Sequence, residues 1–258
     1  MIFIYLQATL LDTNLPILVR IQVSINLCAM NENLESKIDT LRSNPNFEHN
    51  TREELISLAS SAKWVTFENN DVIFHQGDIP KYAHIVCSGR VKVYRISITG
   101  KVFNIMISAP FNTLNAVACF GPKPRFFSAK AMEDVRLLAI PAGTFVNFVI
   151  KHPINAKSVI SIMGDHQMSA INRVMDLLEE GVQQRILNVL MLLNNRFGPD
   201  LPLKNIDIAR LAGTTRETTA RIIRNLDASG LLDKSWGQIK ILDPELLKEI
   251  ASDRFFII

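Results

Sequence analysis

The stretch from Asn205 to Ala228 leaves this chain little choice about how it folds there. It reads Asn-Ile-Asp-Ile-Ala-Arg-Leu-Ala-Gly-Thr-Thr-Arg-Glu-Thr-Thr-Ala-Arg-Ile-Ile-Arg-Asn-Leu-Asp-Ala. Ile208, Ala209, Leu211 and Ala212 predict one short helix, and Gly213 supplies the tight turn of a helix-turn-helix. Thr215 is placed to cap a second helix, with Arg216 and Glu217 in its first turn. On that helix Thr219, Ile222, Ile223 and Leu226 recur at i, i+3, i+4 and i+7, a face to be buried. Glu217, Arg221 and Arg224 share the opposite face, with Arg216 at the tip.

Charge is concentrated in the same place. Residues 203–225 carry five basic side chains (Lys204, Arg210, Arg216, Arg221, Arg224) and two acidic ones (Asp207, Glu217), a local +3 that equals the net charge of the whole chain. An exposed helix fits the major groove of DNA, where Arg donates two hydrogen bonds to guanine and Glu accepts one from cytosine. The residues expected to face DNA are Thr215, Arg216, Glu217, Thr218, Ala220, Arg221 and Arg224. The competing reading is two packed helices whose surface is closed by a Glu217–Arg221 salt bridge. Beyond them, Gly230 to Leu242 predicts a β-hairpin, a wing, from which Lys234, Trp236 or Lys240 could touch the DNA backbone.

Upstream the texture differs. From Trp64 to Ile140 short β-rich runs end in turn residues, with Gly77, Gly89 and Gly100 spaced 12 and 11 apart. That spacing predicts a compact sandwich or barrel. Thr51 and Glu54 predict a capping box opening a short helix over 51–62, and Pro141 to Ile150 reads as another. After Pro153 no proline occurs as far as Glu180. Ile160, Gly164, Gln167, Ile171, Val174 and Leu178 then fall 4, 3, 4, 3 and 4 apart, the 3.5-residue period of a helix that meets a twin. Such a helix could be a core helix of one chain or meet a twin; a small β domain cannot cover it alone, which favours a homodimer. Val182 to Phe197 forms a further amphipathic helix, and Gly198-Pro199-Asp200 reads as a loop.

Composition sets the outer limits. Of 258 residues 48% are hydrophobic and 21% charged, which is ordinary for a globular protein and far from a disordered one. Three cysteines at 28, 87 and 119 suggest neither a disulfide framework nor a metal site, and a reducing cytoplasmic setting is expected. Residues 1–29 are apolar but interrupted. They contain no membrane-length run and no secretory pattern, and read as an extension dispensable to the fold. No His-x-His, Walker loop, Gly-rich dinucleotide motif or Ser/His/Asp order appears, so no catalytic or metal-binding residue is assigned. The functional alternatives are an enzyme on a cupin-like β domain, or a ligand-binding module acting through protein partners.

Taken together, Gln76-Gly77-Asp78, Ser88-Gly89-Arg-Val, Gly100, Phe127-Ser128-Ala129, the long central helix and Asp207 through Arg221 resemble the CRP/FNR family of bacterial transcription regulators. The resemblance covers about residues 51–247 and implies an α+β architecture: an N-terminal β-roll (a cyclic-nucleotide-binding-like jelly roll), a long dimerisation helix and a C-terminal winged helix-turn-helix. On this reading the parts are 30–152, 153–180 and 181–258. Arg216, Glu217 and Arg221 stand where the family's recognition helix has Arg-Glu-x-x-x-Arg, which implies double-stranded DNA with a palindromic operator and half-sites related to TGTGA. RNA polymerase is an implied partner, and no membrane is expected. Enzymatic activity is not implied.

The effector side departs from the family. Members that bind cyclic AMP hold its phosphate with Gly-Glu and with an Arg before Ser-Ala, and here those places are Asn115, Ala116 and Phe127. A buried phosphate without a cation carries a large desolvation cost, so cyclic AMP is disfavoured. Arg125 is the alternative cation. The adenine-contacting Thr-Ser of the central helix is replaced by Ala170-Ile171. What remains is an effector-pocket candidate formed by Leu114, Asn115, Ala116, Val117, Phe127, Ser128, Ala129, Ala170 and Ile171, suited to a small apolar ligand or a haem. His75, His84, His152 and His166 are conceivable haem ligands.

Overall fold

The computed structural model describes residues 33–251 apart from Asn115, Pro122 and Trp236. The extension 1–29, the pocket candidate Asn115 and the wing candidate Trp236 therefore lie outside the described residues. A helix α1 runs over 33–42 and buries Ile38 and Leu41. Helix α2 (Arg52–Ser61) opens on the expected capping box: Thr51 accepts from the Glu54 amide, and the Glu54 carboxylate accepts from the Thr51 amide at 2.8 Å.

Eight strands follow: β1 (Lys63–Phe67), β2 (Val72–Phe74), β3 (Tyr82–Ser88), β4 (Val91–Ile96), β5 (Val102–Ser108), β6 (Thr113–Leu114), β7 (Ser128–Ala131) and β8 (Val135–Pro141). They form two four-stranded sheets ordered β1-β8-β3-β6 and β2-β7-β4-β5, with every pairing antiparallel. One apolar cluster lies between them and includes Phe74, Val86, Val91, Leu114, Ala129 and Leu137. A second, around Phe47, Leu55, Ile85, Leu138 and Phe145, joins the first sheet to α1, α2 and α3 (Ala142–Lys151). This is the expected β-roll.

Helix α4 (Pro153–Glu179) begins at Pro153, whose missing amide costs nothing in a first turn. Helix α5 (Val182–Phe197) then leads into the C-terminal part. There α6 (Asn205–Ala212), α7 (Arg216–Ala228), β10 (Leu232–Ser235), β11 (Gln238–Ile241) and α8 (Pro244–Ile250) pack around Ile186, Leu190, Leu201, Ile208, Ile223 and Leu247. The fold is thus α+β, a β-roll followed by helices and a winged helix-turn-helix.

One local expectation is corrected. Asp200 is not loop: Asp200 and Leu201 form a strand β9 that pairs with Lys240 and Ile239, so the wing is a three-stranded sheet ordered β10-β11-β9. Two residues are too few to show the alternation by which a strand is read from sequence.

Candidate nucleic-acid interface

The turn between α6 and α7 is made as the residues require. Gly213 ends α6 at φ +65°, a left-handed conformation that side chains with a Cβ disfavour. Thr215 caps α7: its Oγ1 accepts from the Thr218 amide at 3.1 Å, which supports the helix by about 1 kcal/mol. Thr219, Ile222, Ile223 and Leu226 are buried. The Thr219 hydroxyl donates to the Thr215 carbonyl at 2.9 Å, so its burial leaves no orphaned donor.

The opposite face is open. Thr215, Arg216, Glu217, Arg221 and Arg224 are exposed, with Thr218 and Ala220 half-buried between them. The salt-bridged alternative does not form: among the described residues neither Glu217 nor Arg221 is in an ion pair. Arg224 donates only to the Ala220 carbonyl one turn back, at 3.3 Å. The donors and the acceptor that base edges would meet are therefore not already spent on the protein. In the wing the Lys234 ammonium donates to the Ser235 and Gln238 carbonyls at 2.7 and 3.0 Å and so closes the hairpin, while Lys240 is exposed.

The striped helix α4 leaves its apolar residues in the open. Ile160 is 68% exposed and Leu178 76%, and Gly164, Gln167, Ile171 and Val174 are exposed as well. Met163, Met168 and Met175 widen the same surface.

The effector candidates are dispersed. Leu114, Phe127 and Ala129 meet in the cluster between the sheets, and Ala116 packs instead on the one beside α3. Val117 lies exposed in the 3-10 turn Ala116–Phe120. Ser128 is buried, and its hydroxyl accepts from the Gln76 amide at 2.9 Å. Ala170 and Ile171 are exposed on α4.

Arg125 is 3% exposed. It donates to the Tyr82 carbonyl at 2.6 Å and lies 3.9 Å over the Phe74 ring, and burial pushes its guanidinium below the usual range. The His84 ring stacks on Phe74 with centroids 6.0 Å apart. Burial, with Arg125 and Lys63 nearby, pushes His84 down to about 4, so it is neutral near pH 7. His152 bonds the Phe148 carbonyl through Nδ1 at 2.8 Å, and His166 is exposed on α4. Among the described residues no group of three or more His, Cys, Asp or Glu side chains could hold a metal ion. Nor is any helix among those residues long and apolar enough to cross a membrane.

Comparison with known proteins agrees with this geometry at both ends. Residues 64–152 match the family described as "Cyclic nucleotide-binding domain", and residues 184–250 the "Crp-like helix-turn-helix domain". The chain is similar to the cyclic AMP receptor protein of Thermus thermophilus, 26% identical over 213 residues that cover 82% of this chain and 98% of that one. It is also similar to the CRP-like cAMP-activated global transcriptional regulator of Mycobacterium tuberculosis, 23% identical over 205 residues, 76% of this chain and 92% of the relative. The solved structure of FixK2 from Bradyrhizobium japonicum shares the fold, with a TM-score of 0.66, 19% identity and coverage of 74% and 98% of the two chains.

Proposed function

The chain belongs to the CRP/FNR family of transcription regulators, and from that premise we propose how it binds and what it answers to. It is a DNA-binding regulator rather than an enzyme. In our reading two copies pair along α4 through Ile160, Gly164, Gln167, Ile171, Val174 and Leu178 and present two α7 helices to a palindromic operator. Arg216, Glu217 and Arg221 read the base edges of half-sites related to TGTGA, about one helical turn apart, while Thr215, Thr218, Ala220 and Arg224 contact the adjoining backbone. The observation that carries this reading is the open face of α7, where Arg216 and Arg221 stand in solvent without protein partners and Arg224 reaches only back to the Ala220 carbonyl.

The β-roll, residues 30–152, takes an effector other than cyclic AMP held in the family's usual way. Phe127 occupies the position of the phosphate-binding cation, and the nearby guanidinium of Arg125 is held by the Tyr82 carbonyl through Nη2 and by the Phe74 ring, with Nη1 buried and unpartnered. The effector shifts a population of dimers between stances that fit the operator and stances that do not, with helix 153–180 as the link to residues 181–258. The protein acts in the cytoplasm and touches RNA polymerase when bound.

Selection of genomic fragments by the purified protein, with and without cell extract, tests the proposal. Enrichment of a two-fold symmetric motif is expected. Capture of random fragments alone overturns it, and calorimetric binding of cyclic AMP at micromolar concentration overturns the effector reading.

A further inference from the structure

Strand β5 is the edge of its sheet, so one row of its carbonyls has no strand to pair with. It also carries a bulge: Val93 faces Met106 and Tyr94 faces Asn104, which leaves Ile105 without an opposite number. Helix α6 has a similar deficit at its C-terminal end, where the last carbonyls have no intrahelical donor. One side chain serves both. Arg173, on α4, donates from Nη1 to the Ile105 carbonyl at 2.6 Å, and from Nη2 to the carbonyls of Asn104 at 3.0 Å and Leu211 at 2.6 Å. Its guanidinium lies 4.6 Å from the centre of the Phe103 ring.

The same junction is tied at further points. Lys92 of β4 pairs with the buried carboxylate of Asp207 at 3.4 Å, and Arg90 donates to the Pro202 carbonyl at 3.1 Å. Arg185 takes the next carbonyl of α6, that of Ala212, at 3.0 Å. The turn packs on α4: a Cβ on Gly213 would lie 2.9 Å from the end of the Leu177 side chain. The seat of α6 therefore depends on the β-roll and on the central helix at once, and α7 is carried by α6.

We propose that Arg173 is a positioning residue for DNA recognition: by gripping β5 and the end of α6 together it sets the angle at which α7 is held, and so the half-site spacing that a dimer accepts. The inference rests on the homodimeric reading above. Arg173 does not touch DNA in this scheme; it acts through α6. Only a planar fork reaches three carbonyls in two directions, so lysine does not replace it. A displacement of α7 by about 3.4 Å amounts to one base-pair step along a strand, so small changes of angle register in the spacer.

The test is a selection of full-length protein on a library that holds the half-sites constant and varies the spacer between them. The wild type is expected to enrich one spacer length. Arg173→Gln should keep the same half-site bases but spread over neighbouring lengths, with the preference for the wild-type spacer falling about tenfold, as loss of hydrogen bonds from a charged donor implies. Arg173→Lys, which keeps the charge and loses the fork, should broaden the profile in the same way and carries the test if the glutamine variant does not fold. A profile as sharp as the wild type's, at the same spacer, in a folded variant overturns the inference alone. A wild type that selects no paired half-sites overturns the dimeric reading and this inference with it.

Discussion

In the β-roll the Arg125 guanidinium has been taken out of water, stacked on Phe74 and bonded to a backbone carbonyl. In the winged helix Arg216 and Arg221 keep their heads in solvent and bond to no other residue among those described. The same side chain thus serves opposite ends. A buried cation is committed to the fold, because only the groups it has found there offset its lost hydration. An exposed one retains all its donors for a partner. The position of an arginine relative to water, more than its presence, separates a residue that builds this protein from one that reads with it.

The contrast can be broken in several places. The largest effect is expected from Val174→Glu combined with Leu178→Glu, which puts charge on the stripe proposed above to pair two copies. On the proposed reading the outward cations need both copies to hold an operator, so specific affinity should collapse towards non-specific binding, by about a thousandfold or more, in fluorescence anisotropy. Retained operator affinity would show that one subunit reads alone.

Next is the inward side. His84 is held down to about 4 in the folded protein, whereas the unfolded chain protonates it near 6.5. Between those values the unfolded state binds more protons, so stability falls as pH drops from 6.5 to 4 and is fully present above 6.5. The difference amounts to about 3 kcal/mol over the whole interval. Urea melts of His84→Phe against the wild type should show a flatter pH dependence, and parallel curves would refute the assignment.

On the outward side, Arg221→Ala should weaken operator binding by about 1–3 kcal/mol with random DNA and the melting temperature unaffected. Equal loss on both DNAs would make it a phosphate contact. The smallest effect belongs to the cap: Thr215→Ala should cost about 1 kcal/mol of stability, read by thermal melting.

The winged helix is legible in the sequence because its signals are local. The i, i+3, i+4, i+7 stripe of α7, the Gly213 turn and the Thr215 cap all lie within a few residues of one another, and each is found where its chemistry places it. The stripe on α4 is equally plain for the same reason. Strand β9 escapes because two residues carry no period. Helix α1 carries a stripe of its own, Leu34, Ile38 and Leu41 at i, i+4 and i+7, but it is only ten residues long and lies beside the extension read as dispensable. Arg173 escapes for a deeper reason: its partners are backbone carbonyls 68, 69 and 38 residues away, and carbonyls have no letter in a sequence. Arg125 stood out only as a cation near the expected phosphate site, and nothing in its neighbours predicted the Phe74 ring beneath it.

Strand β9 ties the wing to the segment that leads into α6, through Asp200–Lys240, Leu201–Ile239 and the Ile241 amide on the Pro199 carbonyl. The hairpin is hemmed at its far edge, and wing, turn and α7 share one core. If the β-roll senses the effector proposed for it, the signal reaches DNA as a change of stance, with the fingers already set.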